Sequence, residues 1–133
     1  TNYYAMIIKQ LSIFLNNKIG RFADVIRILA NENINLQAFT VSESSDFGIL
    51  RLIVDDTDHA TAVLRDANFA VSQTDVVLIE TPDTPGSLSP AIDMLTSAGI
   101  SIEYMYAFSS NNRAKVVIRT NDIARCEELL ATI

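Results

Sequence analysis

Two short stretches of this chain carry residue types that can hold a small zwitterion. One is Asn16, Asn17, Lys18, Ile19, Gly20, Arg21 and Phe22; the other is Asp83, Thr84, Pro85, Gly86, Ser87 and Leu88. In each, an Asn or Asp stands shortly before a glycine, and after the glycine apolar residues recur with helical spacing. A glycine lets the backbone come close to a ligand, and the N-terminus of a following helix offers N–H groups and partial positive charge to a carboxylate. The Asn or Asp side chain can accept a hydrogen bond from an ammonium group. The same residue types also make a plain strand-to-helix turn, with Asn17 and Asp83 as turn formers. Either stretch alone supports both readings.

What separates the two stretches from chance is their place in an internal repeat. Gly20 and Gly86 are 66 residues apart, and at the same spacing Ile13 falls on Ile79, Ile26 on Ile92, Leu29 on Leu95, Ile34 on Ile100, Asp56 on Asp122 and Leu64 on Leu130. The apolar positions between these identities match as well. A repeat of this length, longer than the common solenoid periods, points to paired domains. The expected boundaries are residues 6–74 for the first domain and 75–133 for the second.

Each copy reads as strand, helix, strand, strand, helix, with a final strand in the first copy alone. Leu11, Ile13 and Leu15 alternate within a strand from Ile7 to Leu15, and Phe22, Val25, Ile26 and Leu29 then follow helical spacing. That helix is expected to stop near Asn33, and its counterpart near Gly99, because both residue types tolerate the left-handed closing conformation. Leu36–Glu43 and Phe47–Val54 read as a hairpin joined by Ser44, Ser45 and Asp46, matched in the second copy by a turn at Ser110, Asn111 and Asn112. Asp56 and Asp122 are expected to open the second helix of each copy. Phe69 to Ser72 then closes the first copy and runs almost without linker into the strand Val76–Thr81. Helices with one apolar stripe, combined with alternating strands, are buried by laying the helices on one face of an antiparallel sheet. The expected fold class is therefore α+β, two ferredoxin-like βαββαβ modules side by side in a continuous antiparallel sheet, the second lacking its last strand.

Composition bounds the function. With 133 residues, 49% of them hydrophobic and 20% charged, the chain can bury a sizeable core. A net charge of −6 argues against a nucleic-acid partner, which would be held by lysine and arginine. No apolar run approaches a membrane span, and Thr1 to Met6 lacks the pattern of a signal peptide. Met6 is expected to be the natural first residue, with Thr1 to Ala5 added ahead of it. The one cysteine, Cys126, excludes an intrachain disulfide framework and fits a cytoplasmic setting. It takes the slot of Ala60 and reads as a small core residue. His59, the one histidine, reads as a solvated residue at a helix start, so neither a metal site nor a catalytic constellation can be assembled. No cofactor and no enzymatic activity are expected.

The repeated pattern of an Asn or Asp before a helix-opening glycine, in the element order above, resembles the ligand loop of the ACT domain family. The second copy, with Pro85 before Gly86, has the fuller form; the first has Ile19 where the family usually has proline. The resemblance covers essentially the whole chain. It implies edge-to-edge modules in an eight-stranded sheet, with a ligand between the loop of one module and the second strand of a neighbour. The loop Asn16–Phe22 would then face Glu103, Tyr104, Met105 and Tyr106, and the loop Asp83–Leu88 would face Gln37, Ala38, Phe39 and Thr40. Tyr104 and Tyr106 supply rings with polar tips, suited to a pocket wall or to a protein contact. The expected function is a non-catalytic regulatory protein that binds a free amino acid, working as a homodimer or with a regulated enzyme. The competing expectation is a structural or regulatory subunit that docks on an enzyme through its sheet face without a ligand.

Overall fold

The computed structural model describes residues 4–16, 20–43 and 46–133; Asn17, Lys18, Ile19, Ser44 and Ser45 lie outside the described residues. The elements are β1 (Tyr4–Asn16), α1 (Arg21–Asn31), β2 (Leu36–Glu43), β3 (Phe47–Val54), α2 (Thr57–Asp66), β4 (Ala70–Pro82), α3 (Ser89–Ser97), β5 (Ile102–Ser110), β6 (Arg113–Thr120) and α4 (Ile123–Leu130). The six strands are hydrogen-bonded in the order β2-β3-β1-β4-β6-β5, and the β1–β3, β2–β3, β4–β6 and β5–β6 ladders are antiparallel.

The chain forms two compact units. One is Lys9–Thr74; the other is Asp75–Ile133 together with the chain up to Ile8. Both long strands are therefore divided. Lys9–Asn16 of β1 opens the first unit and Ala70–Thr74 of β4 closes it. Asp75–Pro82 of β4 opens the second unit, and beside it Tyr4–Ile8 of β1 stands where a closing strand belongs. Among the described residues no strand lies between α4 and Ile133, and Tyr4–Ile8 stands in the place that Ala70–Thr74 has in the first unit. The range of β4 is that of β1 moved by the 66-residue repeat at both ends. The polar Gln73, Thr74 and Asp75, which read as a junction between two strands, instead continue a single strand.

Each unit buries its own core under its own pair of helices. In the first, Leu11, Ile13 and Leu15 of β1 and Leu50, Leu52 and Val54 of β3 pack with Val25 and Leu29 of α1 and Ala60 and Leu64 of α2. In the second, Val77 and Ile79 of β4 and Val116 and Ile118 of β6 pack with Ala91 and Leu95 of α3 and Cys126 and Leu130 of α4. The alternating residues between these, such as Ser12 and Phe14, therefore lie on the helix-free face. There Ser12 Oγ meets Thr74 Oγ1 at 3.0 Å, and Gln10 Nε2 donates to Ser12 Oγ at 3.2 Å.

The repeat reaches down to single hydrogen bonds. The Asn35 N–H donates to Asp55 Oδ1 at 3.1 Å, and at the matching place the Ser101 N–H donates to Asn121 Oδ1 at 3.2 Å. A register shift occurs between Leu36 and Ala38, and again between Ile102 and Tyr104. Asn33 and Gly99 follow α1 and α3 with φ of 57° and 73°, the left-handed closure expected of them. Asn111 and Asn112, at 55° and 62°, make the tight β5–β6 turn, where both central residues need positive φ.

Candidate ligand-binding site

The four helices begin in two different ways. At α2 and α4 an aspartate closes the N-terminus: the His59 N–H donates to Asp56 Oδ1 and the Arg125 N–H to Asp122 Oδ1, each at 3.1 Å. At α1 and α3, the helices that follow the glycine loops, no side chain caps the end. The first amides of a helix have no intrahelical partner. The aspartates take one of them at α2 and α4, while at α3 the Ser89 N–H donates to the Gly86 carbonyl at 3.2 Å and Pro90 has no N–H. What α1 and α3 share is a helix start with positive potential and no side-chain cap.

Gly20 (φ 95°) is the residue before α1, and Gly86 (φ 79°) lies three residues ahead of α3. A Cβ placed on either glycine would meet no heavy atom within 4 Å. Within the protein, then, it is conformation and not crowding that favours glycine at these positions. The space beside both residues is open.

The remaining loop residues divide. Asn16 ends β1 opposite Phe47 of β3, while Asn17, Lys18 and Ile19 lie outside the described residues. Arg21 is engaged inside its own unit, its guanidinium 4.0 Å from the centroid of the Phe69 ring and its Nη1 3.8 Å from Asp24 Oδ2. Phe22 packs against Phe39 with centroids 6.1 Å apart. In the second loop, Asp83, Thr84, Pro85 and Gly86 are exposed, and the Asp83 N–H donates to the Asn112 carbonyl at 3.3 Å. The Thr84 and Ser87 hydroxyls hydrogen-bond to each other, and Leu88 packs against the core of the second unit.

Tyr104 and Tyr106 are half-buried and stand opposite Arg119 and Val117 of β6. They share the helix-free face. Met105, opposite the core residue Ile118, points to the helix side and is 38% exposed. Strand alternation therefore divides the three candidates between two faces.

Sequence reasoning missed the residues that flank the loops. Phe14 and Phe47, with centroids 5.9 Å apart, lie on the helix-free face next to Asn16. The repeat places them over Glu80 and Arg113, whose Oε1 and Nε are 3.3 Å apart and which lie next to Pro82 at the mouth of the second loop. The available signal was the repeat itself, applied to positions whose chemistry differs between copies. His59 is exposed, with Nε2 3.7 Å from Glu32 Oε2. Among the described residues no helix is long and apolar enough to cross a membrane.

These features define a class: a tandem pair of ferredoxin-like modules, each with a glycine loop opening an uncapped helix. The chain belongs to the family described as the ACT domain pair, whose model matches residues 6–132. Among solved structures it is similar to protein BT0572 from Bacteroides thetaiotaomicron, at 52% identity over 96% of this chain and 89% of that one, with a TM-score of 0.89. It shares its fold with the ligand-free regulatory subunit of aspartate kinase from Thermus thermophilus, at 16% identity over 99% and 96% of the two chains and a TM-score of 0.66. A putative C-terminal regulatory domain of aspartate kinase from Porphyromonas gingivalis W83 has the same fold, at 14% identity over 98% and 95% and a TM-score of 0.56. No curated protein matches the chain.

Proposed function

We propose that the protein is a non-catalytic regulatory module that binds a free amino acid at its glycine loops. The observation that carries this is the contrast between helix starts, α2 and α4 closed by Asp56 and Asp122 and α1 and α3 left without a side-chain cap behind Gly20 and Gly86. A carboxylate would be drawn to the positive potential of these helix starts, and Asn16 or Asp83 would accept from the ammonium group. Tyr104 and Tyr106 enter the proposal as candidate walls on their chemistry alone, an apolar ring ending in a hydroxyl. Two proteins of similar fold are a regulatory subunit and a putative regulatory domain of aspartate kinase, which fits a role in regulating an enzyme. A ligand would act only through its difference in affinity between two conformations of the protein.

The test is thermal denaturation of the full chain with each of the twenty free amino acids, followed by the amide and the decarboxylated amine of any that stabilises. A native-state ligand raises apparent stability with the logarithm of its concentration. One amino acid is expected to do so while its amide and amine do not. Equal stabilisation by the amide would remove the carboxylate contact. Failure of all twenty at millimolar concentration would favour a subunit that docks on its enzyme without a ligand.

A further inference from the structure

The two units close their sheets with strands of opposite character. In the first, Ala70–Thr74 is tied to α2. Arg65 donates to the Val71 carbonyl through Nε at 3.3 Å and Nη2 at 3.0 Å, and Gln73 Nε2 donates to Asp58 Oδ1 and Thr61 Oγ1, each at 3.0 Å. In the second, Tyr4–Ile8 takes the matching place, which sets Ala5 level with Val71, Met6 with Ser72 and Ile7 with Gln73. The same 66-residue repeat puts Ala124, Glu127 and Ala131 at the positions of Asp58, Thr61 and Arg65. Alanine has no polar group and Ile7 has no amide, so none of the three side-chain ties of the first unit has a counterpart in the second.

Tyr4–Ile8 is also a sheet edge. β3, whose Leu52 partners Leu11, ends at Val54, level with Lys9, so among the described residues Tyr4–Ile8 has a strand neighbour, β4, on one side only. An open edge offers backbone donors and acceptors to another strand unless charge or a covering group blunts it. Tyr4–Ile8 carries no charge, and Tyr4, Met6 and Ile7 are 62%, 49% and 45% exposed.

We infer that this edge pairs antiparallel with the same segment of a second copy, across a two-fold axis at Met6. The segment is its own complement: such pairing sets Met6 on Met6, Tyr4 on Ile8 and Ala5 on Ile7. Ala5 packs against the core of its unit, so Ala5 and Ile7 point to the helix side and Tyr4, Met6 and Ile8 to the other. Each cross-strand pair is then apolar, and the small Ala5 leaves room for the half-exposed Ile7 of the other copy. Copies of a chain with net charge −6 repel, and an uncharged edge is where they can approach. So short a strand pair buries less than the roughly 800 Å² per partner of a standard interface, which makes the dimer a weak and concentration-dependent one. It needs no ligand and does not rest on the amino-acid reading.

Sedimentation equilibrium of the full chain over a concentration series reaching the millimolar range tests it. The parent is expected to move from monomer toward dimer as concentration rises. Met6→Lys and Met6→Glu each place like charges on the axis, and each should raise the dissociation constant at least tenfold. An equimolar mixture of the two should recover a dimer holding one chain of each. Ser72→Lys, at the matching place in the tied strand, should leave the constant within about twofold. Ile7→Gln, which adds no charge, should weaken the dimer as well and supplies the readout should the charged variants fail to fold. A parent that stays monomeric throughout would overturn the self-pairing and leave the edge to an extended apolar segment of another protein. A dimer unmoved by these variants, or folded Met6 variants that do not recover on mixing, would equally overturn it.

Discussion

Asn33 and Gly99 occupy one structural position in the two copies, each ending a helix in the left-handed region, with φ of 57° and 73°. Asparagine visits that region more readily than other residues with a Cβ, and glycine does so freely. Gly99→Asn should therefore cost less than about 1 kcal/mol, whereas Gly99→Ala should cost roughly 1–2 kcal/mol, the penalty of a left-handed Cβ. A Cβ at Gly99 meets nothing within 4 Å, so steric conflict does not confuse the comparison. Urea denaturation of both variants checks this, and equal stability of the alanine variant and the parent would refute it.

Asp56 and Asp122 are each expected to stabilise their helices by about 1 kcal/mol, the usual scale of an N-terminal cap. Each accepts from the amide three residues on, at 3.1 Å in both copies. Asp56→Ala and Asp122→Ala should lower the urea midpoint by similar amounts, and Asp→Asn at either place should recover most of the loss. An asparagine variant as unstable as the alanine variant would mean that the side-chain oxygen is not what matters.

Cys126 is fully buried in the second unit, and burial pushes its thiol above the ordinary range. The carboxylates of Asp122 and Glu127 act in the same direction, and a hydrogen bond with Thr120 opposes them. The folded state therefore holds the thiol proton more tightly than the unfolded chain. This favours folding fully below the ordinary thiol pKa of about 8.5 and is lost as pH rises through the raised folded value. Native protein should resist a thiol reagent at pH 8 and react at once in urea. Relative to Cys126→Ala, the parent should lose extra stability above about pH 8.5; parallel pH profiles would contradict this.

Deleting the residues ahead of Lys9 removes the strand beside Asp75–Pro82. Tyr4 reaches into the second unit, with the Arg113 guanidinium 5.7 Å from its ring centroid, and Ala5 packs against that unit's core. Hydrogen exchange should quicken at Val77–Pro82 and in β6, while amides in the core of Lys9–Thr74 keep their protection. Uniform loss of protection in both units, or no loss in either, would show that the segment is not the second unit's closing strand.

Much of this architecture is legible in the sequence because each signal is local. The hairpin strands Leu36–Glu43 and Phe47–Val54 were set by alternation and the turn between them, the caps by Asp56 and Asp122, and the helix ends by Asn33 and Gly99. The sharing of β1 and β4 was not legible. Pairing between Tyr4–Ile8 and Asp75–Pro82 is a long-range choice that no local pattern encodes, and Gln73–Asp75 are polar in the way a linker would be. The glycine loops were found through the repeat. Their neighbours were not, since Phe14 over Glu80 and Phe47 over Arg113 look like loss of the repeat until the ladders place each pair beside its loop.

The divided strands also set an order of assembly. Lys9–Thr74 is one uninterrupted run of chain and can condense through contacts within itself. Once it has, Ser12 and Thr74 are held 3.0 Å apart, and the chain leaving Lys9 toward its beginning starts beside the chain leaving Thr74 toward its end. The entropy of closing so long a loop has then already been met by the first unit. Tyr4–Ile8 can then reach Asp75–Pro82 with no further long loop to close. The second unit is thus the one that depends on the first, and until it closes Tyr4–Ile8 is a strand without its partner.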